Sequence, residues 1–149
     1  MPEAPFARVT VAVDGSRYGD RALELAIAIA KRFESDLTVV SVAPVHPIYV
    51  SATEPWVPAD IPESETRAHR EIVDRAVKTC ESAGIRTVTG VCLEGIVTDE
   101  IIAHLEQNPS DLLVIGSRGL STTKRLLLGS VTDAISHHVR CPVLIVRLP

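Results

Sequence analysis

Asp111-Leu112-Leu113-Val114-Ile115-Gly116-Ser117-Arg118-Gly119, then nine residues, then Gly129-Ser130-Val131-Thr132: the fold and the function of the chain are both read outward from this stretch. An apolar run of strand type stops at a glycine. A second glycine follows three residues on, and a third stands with a serine directly before a helical pattern. Glycine lets backbone amides approach a ligand closely because no Cβ intervenes. A helix N-terminus adds unpaired N–H groups and the positive end of a dipole, which together attract phosphate. Each piece alone also suits a plain turn or an N-cap. The combined spacing, Gly-x2-Gly-x9-Gly-Ser on a strand–loop–helix frame, is the more specific signal and reads as a phosphate cradle. No Gly-Lys-Ser/Thr closes it, so it is not a Walker A loop, and no Gly-x-Gly-x-x-Gly follows the first strand, so it is not the dinucleotide fingerprint.

The 149 residues suit one domain, 1–149, with room for a real core. Apolar residues make up 46% but aromatics only 3%, so that core must be aliphatic. A formal charge of −4 argues against nucleic acid, whose binders carry a basic excess. No apolar run approaches the roughly 20 residues that span a bilayer, and Met1 to Phe6 lacks the basic start of a secretory signal. Cys80, Cys92 and Cys141 are odd in number and widely spaced, which suits buried thiols in a reducing compartment. The expected location is cytoplasmic, with no membrane contact.

Hydrophobic periodicity gives strands at 8–14, 36–43, 85–93, 111–116 and 143–148. Helices fall at 18–33, 63–82, 95–106 and 130–140. Gly90 is a weak point in the third strand. Five prolines between Pro44 and Pro62 exclude regular structure there, leaving a long loop that carries Trp56. Strands alternating with helices predict a doubly wound α/β fold, a parallel five-stranded sheet of order 3-2-1-4-5 with helices on both faces, Rossmann-like. That order puts strands 1 and 4 side by side where the winding reverses, and ligands sit outside the carboxyl ends of strands at such a point. Asp14-Gly15-Ser16 after strand 1 and Gly116 to Ser130 after strand 4 meet there.

Gly116-x2-Gly119-x9-Gly129-Ser130, with the opening Val9-Thr-Val-Ala-Val-Asp14-Gly15-Ser16, resembles the universal stress protein family, specifically its ATP-binding branch, over essentially the whole chain. The resemblance implies an ATP-binding set of Ala12, Val13, Asp14, Val42, Ile115, Gly116, Arg118, Gly119, Gly129, Ser130, Val131 and Thr132. It implies an apolar bed for adenine from Ala12, Val13 and Val42, backbone contacts from Gly119, Gly129, Ser130 and Val131, and a hydroxyl contact from Ser130. Asp14 either touches the adenosine part, helps hold a nucleotide-bound Mg or Mn ion, or caps the helix in an Asp-Gly turn. Arg118 either reaches ribose or phosphate or is a solvated loop arginine. Thr122, Thr123, Lys124 and Arg125 read first as a solvent-facing run.

Catalytic machinery is harder to find. His137 and His138 are neighbours on a helix and cannot share a metal, and His69 and His104 stand alone on helices. Ser130 has no evident base partner. The reading is therefore ATP binding with slow hydrolysis at most, in a stress-response or regulatory protein whose nucleotide orders loops 44–62 and 117–129 and so changes the surface offered to a protein partner. The alternatives are a weak ATPase, or a dimeric interaction module whose pocket takes AMP or a cyclic nucleotide or stays empty. Strand 5, Val143 to Leu148, is an apolar edge. The family pattern implies a homodimer formed by pairing these edges; the rival is an edge covered by the chain's own N-terminal segment.

Overall fold

The computed structural model describes residues 4–45, 47–48, 57–58, 61–119 and 128–149. In chain order the elements are β1 (Arg8–Ala12), α1 (Arg17–Phe33), β2 (Asp36–Pro44), β3 (Pro47–Ile48), β4 (Val57–Pro58) and α2 (Glu63–Ser82). They continue with β5 (Val88–Gly95), α3 (Val97–Gln107), β6 (Leu112–Gly116), α4 (Ser130–His138) and β7 (Val143–Val146). Five parallel strands form one sheet in the order β5-β2-β1-β6-β7, which is the expected 3-2-1-4-5 counted over the long strands.

β1 and β6 are buried throughout their middles because both sheet faces are covered, and apart from Thr10 those middles are apolar. On one face α1 and α2 pack Ala22, Ala26, Ala30, Ala76 and Cys80 onto Val9, Val11, Val39 and Val114. On the other, α3 and α4 bring Ile101, Leu105 and Ile135 onto Val42, Leu113 and Ile115. The alanines of α1 let its backbone lie close to the sheet, which is how an aliphatic core with almost no aromatics is closed on this face. Ser16 starts α1: its backbone is extended and its Oγ accepts the Gly19 amide at 3.1 Å.

The sheet corrects the sequence reading in three places. Ile85 is not in a strand. Gly84 turns the chain with φ +92°, the Ile85 amide donates to the Cys80 carbonyl, and Ile85 is buried under the end of α2. β5 runs instead to Gly95, because β2 continues to Pro44 and the two pair to the end. Gly90 is not a flaw in that strand either. A Cβ there would stand 2.7 Å from Val73 Cγ1 and 2.8 Å from Val77 Cγ2, so α2 seats against β5 only because the position is bare.

The third correction concerns 44–62. Pro47–Ile48 and Val57–Pro58 pair antiparallel, so the prolines do not exclude pairing altogether. A ribbon of two strands has two outer edges, where a missing proline N–H leaves no partner unsatisfied. Trp56 and the run from Thr122 to Arg125 lie outside the described residues. None of the described helices is long and apolar enough to cross a membrane.

His104 faces the interior from α3, and its Nε2 is sealed from water without a hydrogen-bond partner among the described residues. Burial lowers its pKa below the ordinary 6.5, and burial does the same to His69. The unfolded chain therefore takes up these protons first. The stability they contribute is present above about pH 6.5 and is lost as the pH falls below it. Urea midpoints should fall between pH 7.5 and 5.5. His104→Phe should flatten that fall and raise stability at pH 7 by about 1 kcal/mol, by removing the unsatisfied ring nitrogen. A slope unchanged by the substitution would contradict the assignment.

Candidate functional site

β1 and β6 end side by side at the centre of the sheet, and the chain leaves them in opposite directions. After β1, Asp14 accepts the Ser16 amide on Oδ1 at 3.0 Å, closing a tight turn in which Gly15 takes φ +83°. After β6, the Ser117 amide donates to the Val146 carbonyl at 2.8 Å, and the Ser117 carbonyl accepts the Gly129 amide at 2.8 Å. Thr132 Oγ1 donates to the Gly116 carbonyl, also at 2.8 Å, from a buried position. These bonds tie the start of α4 to the end of β6.

Gly129 stands at the N-cap of α4 and offers no side chain, so among the described residues the first-turn amides of Ser130, Val131 and Thr132 have no side-chain cap. A helix end of this kind carries partial positive charge and open donors. Between it and the turn after β1 lies a cavity of ≈ 390 Å³, within the ~300–1,000 Å³ typical of small-molecule sites. All twelve residues expected from the sequence line it: Ala12, Val13 and Asp14 from the end of β1, Val42 from β2, Ile115, Gly116, Arg118 and Gly119 from β6 and its loop, and Gly129 to Thr132 from α4.

Their roles differ from one another. The Gly129 amide and the Thr132 hydroxyl are already engaged within the chain, whereas Ser130 is exposed at the helix start. Gly116 is bare because α1 passes over it: a Cβ there would meet Tyr18 Cβ at 2.7 Å and the Tyr18 carbonyl carbon at 3.0 Å. Gly119 is bare because Asp14 lies against it, with Oδ2 2.7 Å from where a Cβ would stand. Asp14 thus uses one oxygen in the turn and turns the other toward the glycine loop.

The cavity also contains residues that sequence reasoning did not assign to it. Gly19, Val40, Ser41, Pro44, Glu65, His69, Val97 and Ile101 extend it over β2 toward α2 and α3. The aliphatic members are strand and helix ends that look like ordinary core in a sequence. His69 was legible in principle, since it stands four residues before buried Val73 and seven before buried Ala76, on the inward stripe of α2. Its Nδ1 lies 2.8 Å from the buried Ser41 Oγ. Burial lowers the His69 pKa, opposed by the nearby carboxylates of Glu65 and Asp14. No group of three or more His, Cys, Asp or Glu among the described residues is arranged to hold a metal by itself. The cysteines are unpaired, and burial pushes the Cys80 thiol up to about 11.

A family model described as the universal stress protein family matches residues 5–147. The chain is 32% identical over 151 residues to the universal stress protein MJ0531 of Methanocaldococcus jannaschii, covering 97% of this chain and 84% of that one. The solved universal stress protein UspA from Lactobacillus plantarum superposes with a TM-score of 0.83 at 24% identity, over 95% of this chain and 98% of that one. A crystal structure of a universal stress protein in complex with cAMP superposes with a TM-score of 0.71 at 26% identity, over 95% and 97% of the two chains. The chain, with its 3-2-1-4-5 sheet and its glycine-lined crevice where the winding reverses, belongs to the universal stress protein family.

Proposed function

We propose that this protein binds an adenine nucleotide, ATP in the first place, in the crevice between β1 and β6, and that occupancy serves as a regulatory signal in the stress response. The observation that carries the reading is the uncapped first turn of α4 opening into a cavity that also contains the glycine loop and Asp14. Phosphates would lie on the amides of Ser130 and Val131, with Gly119 and the Ser130 hydroxyl beside them. The base would lie toward Ala12, Val13 and Val42. The residues fit the nucleotide in kind: open donors at one end, aliphatic surface at the other. A Mg or Mn ion would arrive with the nucleotide, and Asp14, with one oxygen outside its turn, would be the carboxylate to help hold it. A triphosphate binder of this make-up hydrolyses slowly at most.

The test is titration calorimetry with ATP and Mg²⁺ on the wild-type protein and on Gly129→Val, which puts a branched side chain at the buried N-cap. Micromolar binding to the wild type, lost in the variant, is the expected result. Absence of wild-type binding, with co-purified nucleotide excluded, would overturn the reading. The cAMP bound by the neighbouring protein makes AMP and cAMP the competitors to titrate alongside.

The sheet edge supports a reading of the assembly. Among the described residues β7 has β6 as its one strand neighbour, and Leu144 at its centre is exposed. The described N-terminal residues lie elsewhere: the Ala7 carbonyl accepts the Asp36 amide at the start of β2, and Phe6 stacks edge-on against Phe33. We read β7 as the pairing edge of a homodimer. Leu144→Lys should convert the dimer to a monomer in sedimentation velocity while leaving the far-UV spectrum unchanged. A wild-type protein that sediments as a monomer at 100 µM-scale loading (about 10⁻⁴ M, weak even for small interfaces) would remove this proposal.

A further inference from the structure

His69 stands in the cavity for a reason that neither a core role nor a metal role explains. Its partner Ser41 is 2% exposed, and the hydroxyl has no other hydrogen bond among the described residues. A buried O–H is used only if it donates, so the Ser41 hydroxyl donates to Nδ1. That choice fixes the tautomer: the ring proton sits on Nε2, and Nε2–H is a donor without a protein partner among the described residues. The ring orientation is likewise set by a fixed strand position, since Ser41 lies in the middle of paired β2. The depressed basicity that burial causes, only partly offset by Glu65 and Asp14, keeps this neutral form at pH 7. Among the described residues Arg118 is the arginine or lysine that lines the cavity, and it follows β6, two strands away from Ser41 on β2.

Position along the sheet says which part of a ligand this donor meets. Ser41 is on β2, and the anion-attracting helix end follows β6; β1 lies between them. Two strand spacings are about 10 Å, of the order of the separation between a nucleotide's base and its outer phosphates. On the β2 and α3 side the cavity lining includes the aliphatic Val40, Val42, Val97 and Ile101, and Glu65, one turn before His69 on α2, is a further polar group there.

We propose that His69, oriented by Ser41, is a specificity-determining residue of this site: its Nε2–H donates to a lone-pair acceptor on the nucleobase. This rests on the nucleotide reading above. Ser41 is a positioning residue in it and touches no ligand. A base that presents only N–H donors toward α2 is rejected, because the histidine proton would then face another proton and Nε2–H would be desolvated without a partner.

The test compares two probes, ATP and inorganic tripolyphosphate, by calorimetry on four proteins. Tripolyphosphate engages the glycine loop and helix end but has no base. For His69→Phe, ATP affinity is expected to fall about tenfold, with tripolyphosphate affinity unchanged. His69→Gln, whose side-chain amide carries an N–H close to where Nε2–H stands, should recover at least half of that loss on a logarithmic scale. Ser41→Ala, with the ring free to turn, should weaken ATP about threefold and leave tripolyphosphate alone. Equal losses for both probes would mean a structural role, and full ATP affinity in His69→Phe would mean no contact; either overturns the proposal while the nucleotide reading stands. A wild-type protein that binds neither probe would overturn both. Should His69→Phe fail to fold, the Gln and Ala variants carry the same comparison.

Discussion

Gly116→Val is expected to lower the free energy of unfolding by about 3 kcal/mol, at the upper end of overpacking effects. The new Cβ would stand 2.7 Å from Tyr18 Cβ, 3.0 Å from the Tyr18 carbonyl carbon and 3.1 Å from its oxygen. Two of these three atoms are main chain in the second residue of α1, so no rotamer change relieves the contact. The helix itself must lift. It is held by the Ser16 cap and by Ala22, Ala26 and Ala30 in the core, so lifting opens the whole α1 face of the sheet. Urea denaturation would show a lower midpoint with little change in slope. A loss under about 1 kcal/mol would mean that α1 is not seated as described. Gly116 would then serve the ligand loop rather than packing.

Gly119→Val is expected to do the reverse: ATP affinity falls about a hundredfold, roughly 2.7 kcal/mol, with little change in stability. Here the obstructed atom is Asp14 Oδ2, the far end of a side chain that can rotate away. The fold tolerates that rotation, at most losing the bond from the Ser16 amide to Oδ1. The site does not, because the displaced carboxylate and the added methyls both enter the cavity that Asp14 and Gly119 share. The variant therefore separates the two readings of Asp14. If capping were its whole role, Gly119→Val would cost about 1 kcal/mol of stability and leave nucleotide affinity close to wild type. Calorimetry and urea denaturation on one preparation distinguish the two.

The large features were legible because they rest on long patterns. Aliphatic runs of period-free strand type, separated by stretches of helical period, demand a parallel sheet covered on both sides. The strand order followed, and with it the point where Asp14 meets the glycine loop. What escaped was set by close approach between elements distant in sequence. Gly90 reads as a weak point in its strand until Val73 and Val77 are seen against it. Gly116 reads as a phosphate glycine until Tyr18 is seen above it. Ile85 has strand chemistry, yet the turn at Gly84 spends it on capping the underside of α2. His69 belongs to the site through a hydrogen bond to a serine 28 positions away, and no spacing within its helix announces that partner.

The central place of β1 also sets an order of events during synthesis. Its one neighbour, β2, follows within a few dozen residues, but the other, β6, pairs Val9 with Leu112. At ribosomal rates of about 5–20 residues per second, β1 waits on the order of 5–20 s for that second partner. During that interval the middle of the sheet is an edge, offering Val9 and Val11 with unpaired main chain to any other nascent strand. The protein's vulnerability to misassembly is therefore concentrated before residue 112 leaves the exit tunnel, and a chain stopped short of that point would be a client for chaperones rather than a smaller version of the fold.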